Sequence, residues 1–172
     1  GIGVLYVKRG TPVAPIILGG EHERGMRAGT ENLPAIVGLA KAVELINKKE
    51  GKRIATLRDY FLKKIKEIAP DTKINGSLDD DRLPNNINIS IPGGNSEKLL
   101  LELDKYGIRA GSGSACTSHA VEPSHVLRAI GVKKPYLDGA LRFSLGRQTT
   151  KKDIDYVLKI LLNIAEKLRK RG

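Results

Sequence analysis

Two amphipathic stripes constrain this chain more than any other feature of its sequence. Ile54, Leu57, Phe61, Leu62, Ile65 and Ile68 recur at helical spacing and are closed by Pro70. Ile154, Val157, Leu158, Leu161, Ala165 and Leu168 form a second stripe, with Thr150 placed to cap its helix. Each stripe has to be buried against another layer. The segments between them supply it: a short strand at Lys73–Asn75, then Ile87, Ile89 and Ile91 alternating with Asn88 and Ser90, then Gly107–Arg109 and Ala140–Leu145. Pro92-Gly93-Gly94 reads as a turn, and Asn95 as the N-cap of a helix over Ser96–Lys105. Pro123 suits the first turn of a helix over His125–Ile130, which Gly131 stops. The order of elements predicts a small α/β or α+β domain, a sheet covered by helices.

Upstream, Ile2–Val7 is rich in apolar and β-branched residues and reads as a strand. Gly10–Pro15 is a turn region, and Ile16–Leu18 an apolar run ended by Gly19-Gly20. A polar, glycine-punctuated loop, EHERGMRAGTEN, leads into a helix over Leu33–Ile46, with Pro34 in its first turn and Gly51 as its break. With no initiator Met and a strand already in progress at GIGVLYV, the chain reads as a piece of a longer protein.

Charge and cysteine content narrow the function. Lys and Arg number 30 against 19 Asp and Glu, a net charge of +11 that favours anionic ligands or acidic partners. These charges are interleaved with apolar residues at helical spacing in Lys48–Lys66 and Lys151–Arg171, the pattern of solvated helix faces. Aromatic residues are only 4% of the chain and Trp is absent, too few to build stacking platforms for bases. A single cysteine excludes an internal disulfide and a CxxC pair and suits a reducing, cytoplasmic setting. There is no apolar run of membrane-spanning length.

That one cysteine, Cys116, stands in AGSGSACTSH, led by five small residues and flanked by hydroxyls. A buried structural thiol sits among apolar neighbours. This one does not, and its setting favours a reactive, accessible nucleophile. GSGSAC lacks the third glycine of GxGxxG, which leaves a phosphate cradle weakly supported. Arg142, in LRFSLGR, is a cation inside an apolar strand and calls for a carboxylate, either a protein side chain or a ligand. Thr30 and Arg27 could bind an anion near a helix start, or Thr30 or Asn32 could simply cap that helix. His22, His119 and His125 are scattered; pairing His119 with Cys116 would put both groups on one loop with nothing to fix them.

Three segments, GGEHERGMRAGTEN, GIRAGSGSACTSHAVEPSHVLRAIG and LRFSLGRQTT, together resemble the NifS/IscS-type cysteine desulfurases, pyridoxal-phosphate enzymes of fold type I within the class-V aminotransferases. They occur in that family's order, and the resemblance extends over the whole chain. It implies an α/β fold forming the C-terminal part of such an enzyme. Residues 1–47 would end the large domain. Residues 48–172 would form the small domain, with a mobile cysteine loop at about 110–121 and the C-terminal helix. It also implies a reaction: sulfur leaves L-cysteine, L-alanine is released, and a persulfide remains on Cys116. Arg142 matches the arginine that holds the substrate carboxylate. Thr30 matches the threonine that reaches the phosphate of the partner subunit's cofactor in a homodimer. No metal site is implied, although Cys116 could transiently hold an iron–sulfur cluster. The acceptors implied are an iron–sulfur scaffold protein or a tRNA-thiolation protein.

The departures are equally specific. The family's cofactor lysine lies in an SxHK-type segment just before GIG, where this sequence begins, and Glu21 replaces the third glycine of the family's GGG. The chain alone is therefore expected not to release sulfur from cysteine. Two other readings remain open from sequence: a non-catalytic persulfide carrier or scaffold, and a basic nucleic-acid-binding module.

Overall fold

The computed structural model describes residues 1–79, 82–112 and 124–169, with side chains through 167. It divides into two compact units, Gly1–Asn47 and Lys48–Gly172.

The second unit is built on a three-stranded antiparallel sheet in the order β1 (Lys73–Ile74), β2 (Asn86–Ser90), β3 (Ala140–Ser144). The register pairs Ile89 with both Ile74 and Leu141, and Ile87 with Phe143. Alternation does the rest: Ile87, Ile89, Leu141 and Phe143 fall on one face and are buried, while Asn86, Asn88, Arg142 and Ser144 fall on the other. The apolar face is covered by α2 (Lys48–Ile68), α3 (Ser96–Asp104) and α5 (Lys151–Arg169). Phe61, Leu62 and Ile65 of α2, Leu99 and Leu103 of α3, and Leu158 and Leu161 of α5 share one core with the strands. The Phe61 and Phe143 rings meet at 5.6 Å, tilted by 45°. A short helix, α4 (His125–Ala129), sits over a smaller cluster of Leu127, Val132 and Ala140.

Local sequence accounts for the helix ends. Asn95 accepts from the Lys98 amide, and Ser124 from the Leu127 amide. At α5, Thr150 Oγ1 accepts from the Asp153 amide while Asp153 accepts from the Thr150 amide and hydroxyl, a reciprocal capping box. The turn between β3 and α5 is held from outside. Arg53 of α2, itself paired with Glu50, donates to the carbonyls of Gly146, Arg147 and Thr149. Across the same helix pair, Tyr60 donates to Asp155 at 2.6 Å, and Lys151 bonds both.

The expected break at Gly51 is not there. α2 begins at Lys48 and runs through Gly51, while α1 (Leu33–Glu44) ends with three residues between the two helices. A single glycine costs a helix only about 1 kcal/mol, less than the buried stripe downstream returns. The expected strand at Gly107–Arg109 is also absent. Only Gly111, two residues on, bridges to β3.

The first unit contains α1 and a short 3-10 turn over His22–Gly25. Ile2–Val7, expected as a strand, forms none: within this unit no neighbouring backbone pairs with it, and an isolated strand has nowhere to place its ladder bonds. Ala28 alone is buried in residues 1–47, although α1 carries Leu33, Ile36, Val37 and Val43. Val4, Leu5, Tyr6, Ile16, Leu18 and Ile46 are each more than three-quarters exposed.

Candidate functional site

Arg142 lies in the middle of β3, on the sheet face turned away from the core, and its residue is exposed. Its guanidinium has no hydrogen-bond or ion-pair partner among the described residues. The sequence demanded a carboxylate for a cation in an apolar strand. The strand's alternation resolves that demand by turning Arg142 out of the core.

Arg142 is tied to the root of the cysteine segment. Its amide donates to the Gly111 carbonyl at 2.7 Å, and the Gly111 amide donates to the Arg142 carbonyl at 2.9 Å. Gly111 thus extends the sheet by one residue, and the guanidinium lies across it. A Cβ at position 111 would stand 3.3 Å from Arg142 Nη2. Cys116 and His119 lie outside the described residues, as does Pro123. His125 begins α4. Sequence reasoning missed the Gly111 bridge because one residue carries no periodicity.

In the first unit, the loop before α1 folds on its own backbone. The Ala28 amide donates to the Ile17 carbonyl at 3.2 Å, and Arg27 donates to the Ala28 carbonyl at 2.5 Å, which occupies one arm of the Arg27 guanidinium. Asn32 is the α1 cap and accepts from the Ala35 amide at 3.2 Å. The Thr30 hydroxyl therefore has no capping duty and no hydrogen-bond partner among the described residues. Glu21 has φ of −80°, so the position does not need the glycine its relatives' motif would place there. The left-handed non-glycine residues are instead Glu23 (φ 50°) and Arg24 (φ 59°). His22 belongs to this turn.

The class-V aminotransferase family model matches residues 1–157. The chain belongs to that family. It is 46% identical to the cysteine desulfurase IscS of Dictyoglomus turgidum, over 98% of this chain and 43% of that protein. It is 49% identical to a cysteine desulfurase of Nostoc sp., with the same coverage. The chain thus spans less than half the length of these relatives. Among solved structures, a NifS-like protein matches with a TM-score of 0.78 at 33% identity, covering 94% of this chain and 41% of that one. A NifS-like protein of Rickettsia africae matches at 0.75 and 32%, covering 89% and 40%. These neighbours establish the α/β fold expected from the sequence.

Class-V aminotransferases, cysteine desulfurases among them, depend on pyridoxal phosphate. The unengaged Thr30 hydroxyl, just ahead of a helix N-terminus, is a donor of the kind a phosphate takes. Among the described residues no group of three or more His, Cys, Asp or Glu could hold a metal ion. None of the described helices is long and apolar enough to cross a membrane.

Proposed function

We propose that this chain is the sulfur-accepting part of a pyridoxal-phosphate-dependent cysteine desulfurase. Residues 1–47 end its large domain, and residues 48–172 form its small domain. One observation carries the reading. Arg142, whose side chain is exposed, is joined through its backbone to the root of the cysteine segment by two hydrogen bonds at Gly111. Cys116 follows five residues later, so its Cα lies at most about 17 Å from that root along an extended chain. A thiol on such a tether can reach a substrate held at Arg142 and can also turn away from it.

In this reading Arg142 binds the carboxylate of L-cysteine through its planar fork, which fixes the substrate's orientation. The Thr30 hydroxyl donates to the phosphate of the cofactor bound by the partner subunit of a homodimer. When bound, that cofactor supplies the electron sink for substrate chemistry. Cys116, as thiolate, attacks the substrate sulfur. An S–S bond forms and the C–S bond breaks. The bonding pair stays on the β-carbon, which takes a proton to become the methyl group of L-alanine. The persulfide on Cys116 then passes to an acceptor, an iron–sulfur scaffold or a tRNA-thiolation protein, in the cytoplasm.

The test is sulfide release from L-cysteine with pyridoxal phosphate and a reductant. It is run on this chain, on the chain joined to the N-terminal part of the Nostoc relative, and on the joined form with Cys116→Ala or Arg142→Ala. Release by the joined form alone, abolished by Cys116→Ala and with KM raised by Arg142→Ala, is the expected result. Release that survives Cys116→Ala would overturn the assignment of the nucleophile. No release from a correctly folded joined form would leave the carrier reading in its place.

A further inference from the structure

The sheet face opposite the main core carries one continuous cross-strand row. Asn75 follows β1 and donates its amide to the Asn88 carbonyl of β2; Asn88 is paired in register with Arg142 of β3; Arg142 is bridged to Gly111. Because Arg142 exchanges both backbone bonds with Gly111, its pairing with Asn88 is of the non-hydrogen-bonded kind. In such pairs the two Cα atoms stand only about 4.5 Å apart and the side chains are closest. Asn88 and Arg142 are therefore immediate neighbours on one face.

The orientation of the Asn88 amide is fixed. Its Oδ1 accepts from Asn75 Nδ2 at 2.8 Å, which turns the carbonyl end toward β1 and leaves the NH₂ end on the side of β3. Asn75 is itself immobilised: it is 2% exposed, and its second Nδ2 proton goes to Ser90 Oγ, also at 2.8 Å. Its Oδ1 is buried with no hydrogen-bond partner among the described residues. Asparagine is disfavoured in strands, and a buried amide without its full set of partners carries a desolvation penalty. A β-branched pair at 75 and 88 would give a more stable sheet. The Asn88 NH₂ has no acceptor among the described residues, and neither does the Arg142 guanidinium. Two adjacent donor groups, one charged and one neutral, stand together with no acceptor among the described residues.

We propose that Asn88 is a second binding residue for the substrate carboxylate beside Arg142, with Asn75 as the positioning residue that aims it. This rests on the reading of Arg142 as the carboxylate anchor. A carboxylate offers about four acceptor positions, and a guanidinium fork fills two of them. A neutral amide fills another without adding a second positive charge. It selects a planar carboxylate held at one angle.

The inference is tested on the 172-residue chain by following phenylglyoxal modification of individual arginines by peptide mass mapping. Propionate is the probe, with chloride at equal ionic strength as the control. Propionate slows modification of Arg142 severalfold and leaves the exposed Arg109 and Arg147 unchanged. In Asn88→Ala that protection is largely lost, and in Asn75→Ala it is reduced. Asn88→Asp slows modification of Arg142 without propionate, because its carboxylate faces the guanidinium, and propionate adds nothing. Where Asn88→Ala fails to fold, Asn88→Ser is read the same way. In the joined, active form, Asn88→Ala raises KM for L-cysteine about tenfold, the worth of one hydrogen bond to a charged group, with kcat little changed. Equal protection in wild type and Asn88→Ala, with equal KM, overturns this inference and leaves Arg142 as the anchor. No protection of wild-type Arg142, with KM unmoved by Arg142→Ala, overturns both.

Discussion

Gly139→Ala should damage this protein more than its chemistry suggests. A Cβ built at Gly139 would lie 2.1 Å from the Ile91 carbonyl oxygen and 3.2 Å from the Gly94 Cα. An ordinary C···O contact needs a little over 3 Å, so these backbones would have to separate by about 1 Å. They are not free to do so. The Ile91 amide donates to the Gly139 carbonyl at 3.0 Å, and the Gly94 amide to the Ile91 carbonyl at 3.1 Å. Overpacking of this kind costs about 1–3 kcal/mol, and each strained backbone bond adds about 1 kcal/mol. A total of about 3–5 kcal/mol corresponds to a fall in Tm of roughly 6–20 °C for a chain of this size. Thermal unfolding followed by circular dichroism reads it directly. Gly93→Ala is the matched control. Gly93 has φ of +69° but open space around its Cβ position, so it should lose only about 1 kcal/mol. A Gly139→Ala Tm within a degree of wild type would refute the steric reasoning. A lower Tm for Gly93→Ala than for Gly139→Ala would show that backbone conformation dominates.

Further outcomes follow from the same structure. Ile89→Ala, at a position with no exposed surface in the central strand, should cost about 2–5 kcal/mol by denaturant unfolding. Thr150→Ala removes both Thr150 side-chain contributions to the α5 capping box and should cost about 1 kcal/mol, largely spared in Thr150→Ser. Hydrogen bonds from Thr150 lower the Asp153 carboxyl, and those from Tyr60 and Lys151 lower Asp155. Their stabilisation is therefore fully present above the unfolded carboxylate range near pH 4 and is lost as pH falls through the depressed folded values. Asp155→Asn should flatten that acid limb in a pH series of urea midpoints, and an unchanged limb would refute the assignment. Hydrogen exchange should find the amides of residues 2–7 unprotected in this chain, since no ladder holds them, while those of β2 exchange slowly.

Much of the second unit was legible in the sequence because its signals are local. The Ile87-Asn88-Ile89-Ser90 alternation, the Asn95 cap, the Thr150 cap and the two apolar stripes each follow from neighbours within a turn or two, and each is found in the fold. The misreadings share one cause, which is that the partner lies far away in the chain or within no described part of it. Gly51 looked like a stop because its intrinsic propensity is poor; the packing of Ile54, Phe61 and Ile65 overrides it. Ile2–Val7 has strand composition but, among the described residues, no strand to pair with. The single thiol at Cys116 was visible at once from composition, although its segment lies outside the described residues.

By itself the sequence determined the core helices and strands of the second unit and the membership in the class-V aminotransferases, because periodicity, caps and motif order are properties of neighbouring positions. Only the tertiary structure decided which residues meet. Strand register, a long-range hydrogen-bonding choice with a period of two, seats Asn88 and Gly111 on either side of Arg142 and brings Gly139 against Ile91. The local alternation of Leu141, Arg142 and Phe143 could set the face, but nothing within a few residues of Arg142 could have specified that Asn88 and Gly111 would be its neighbours.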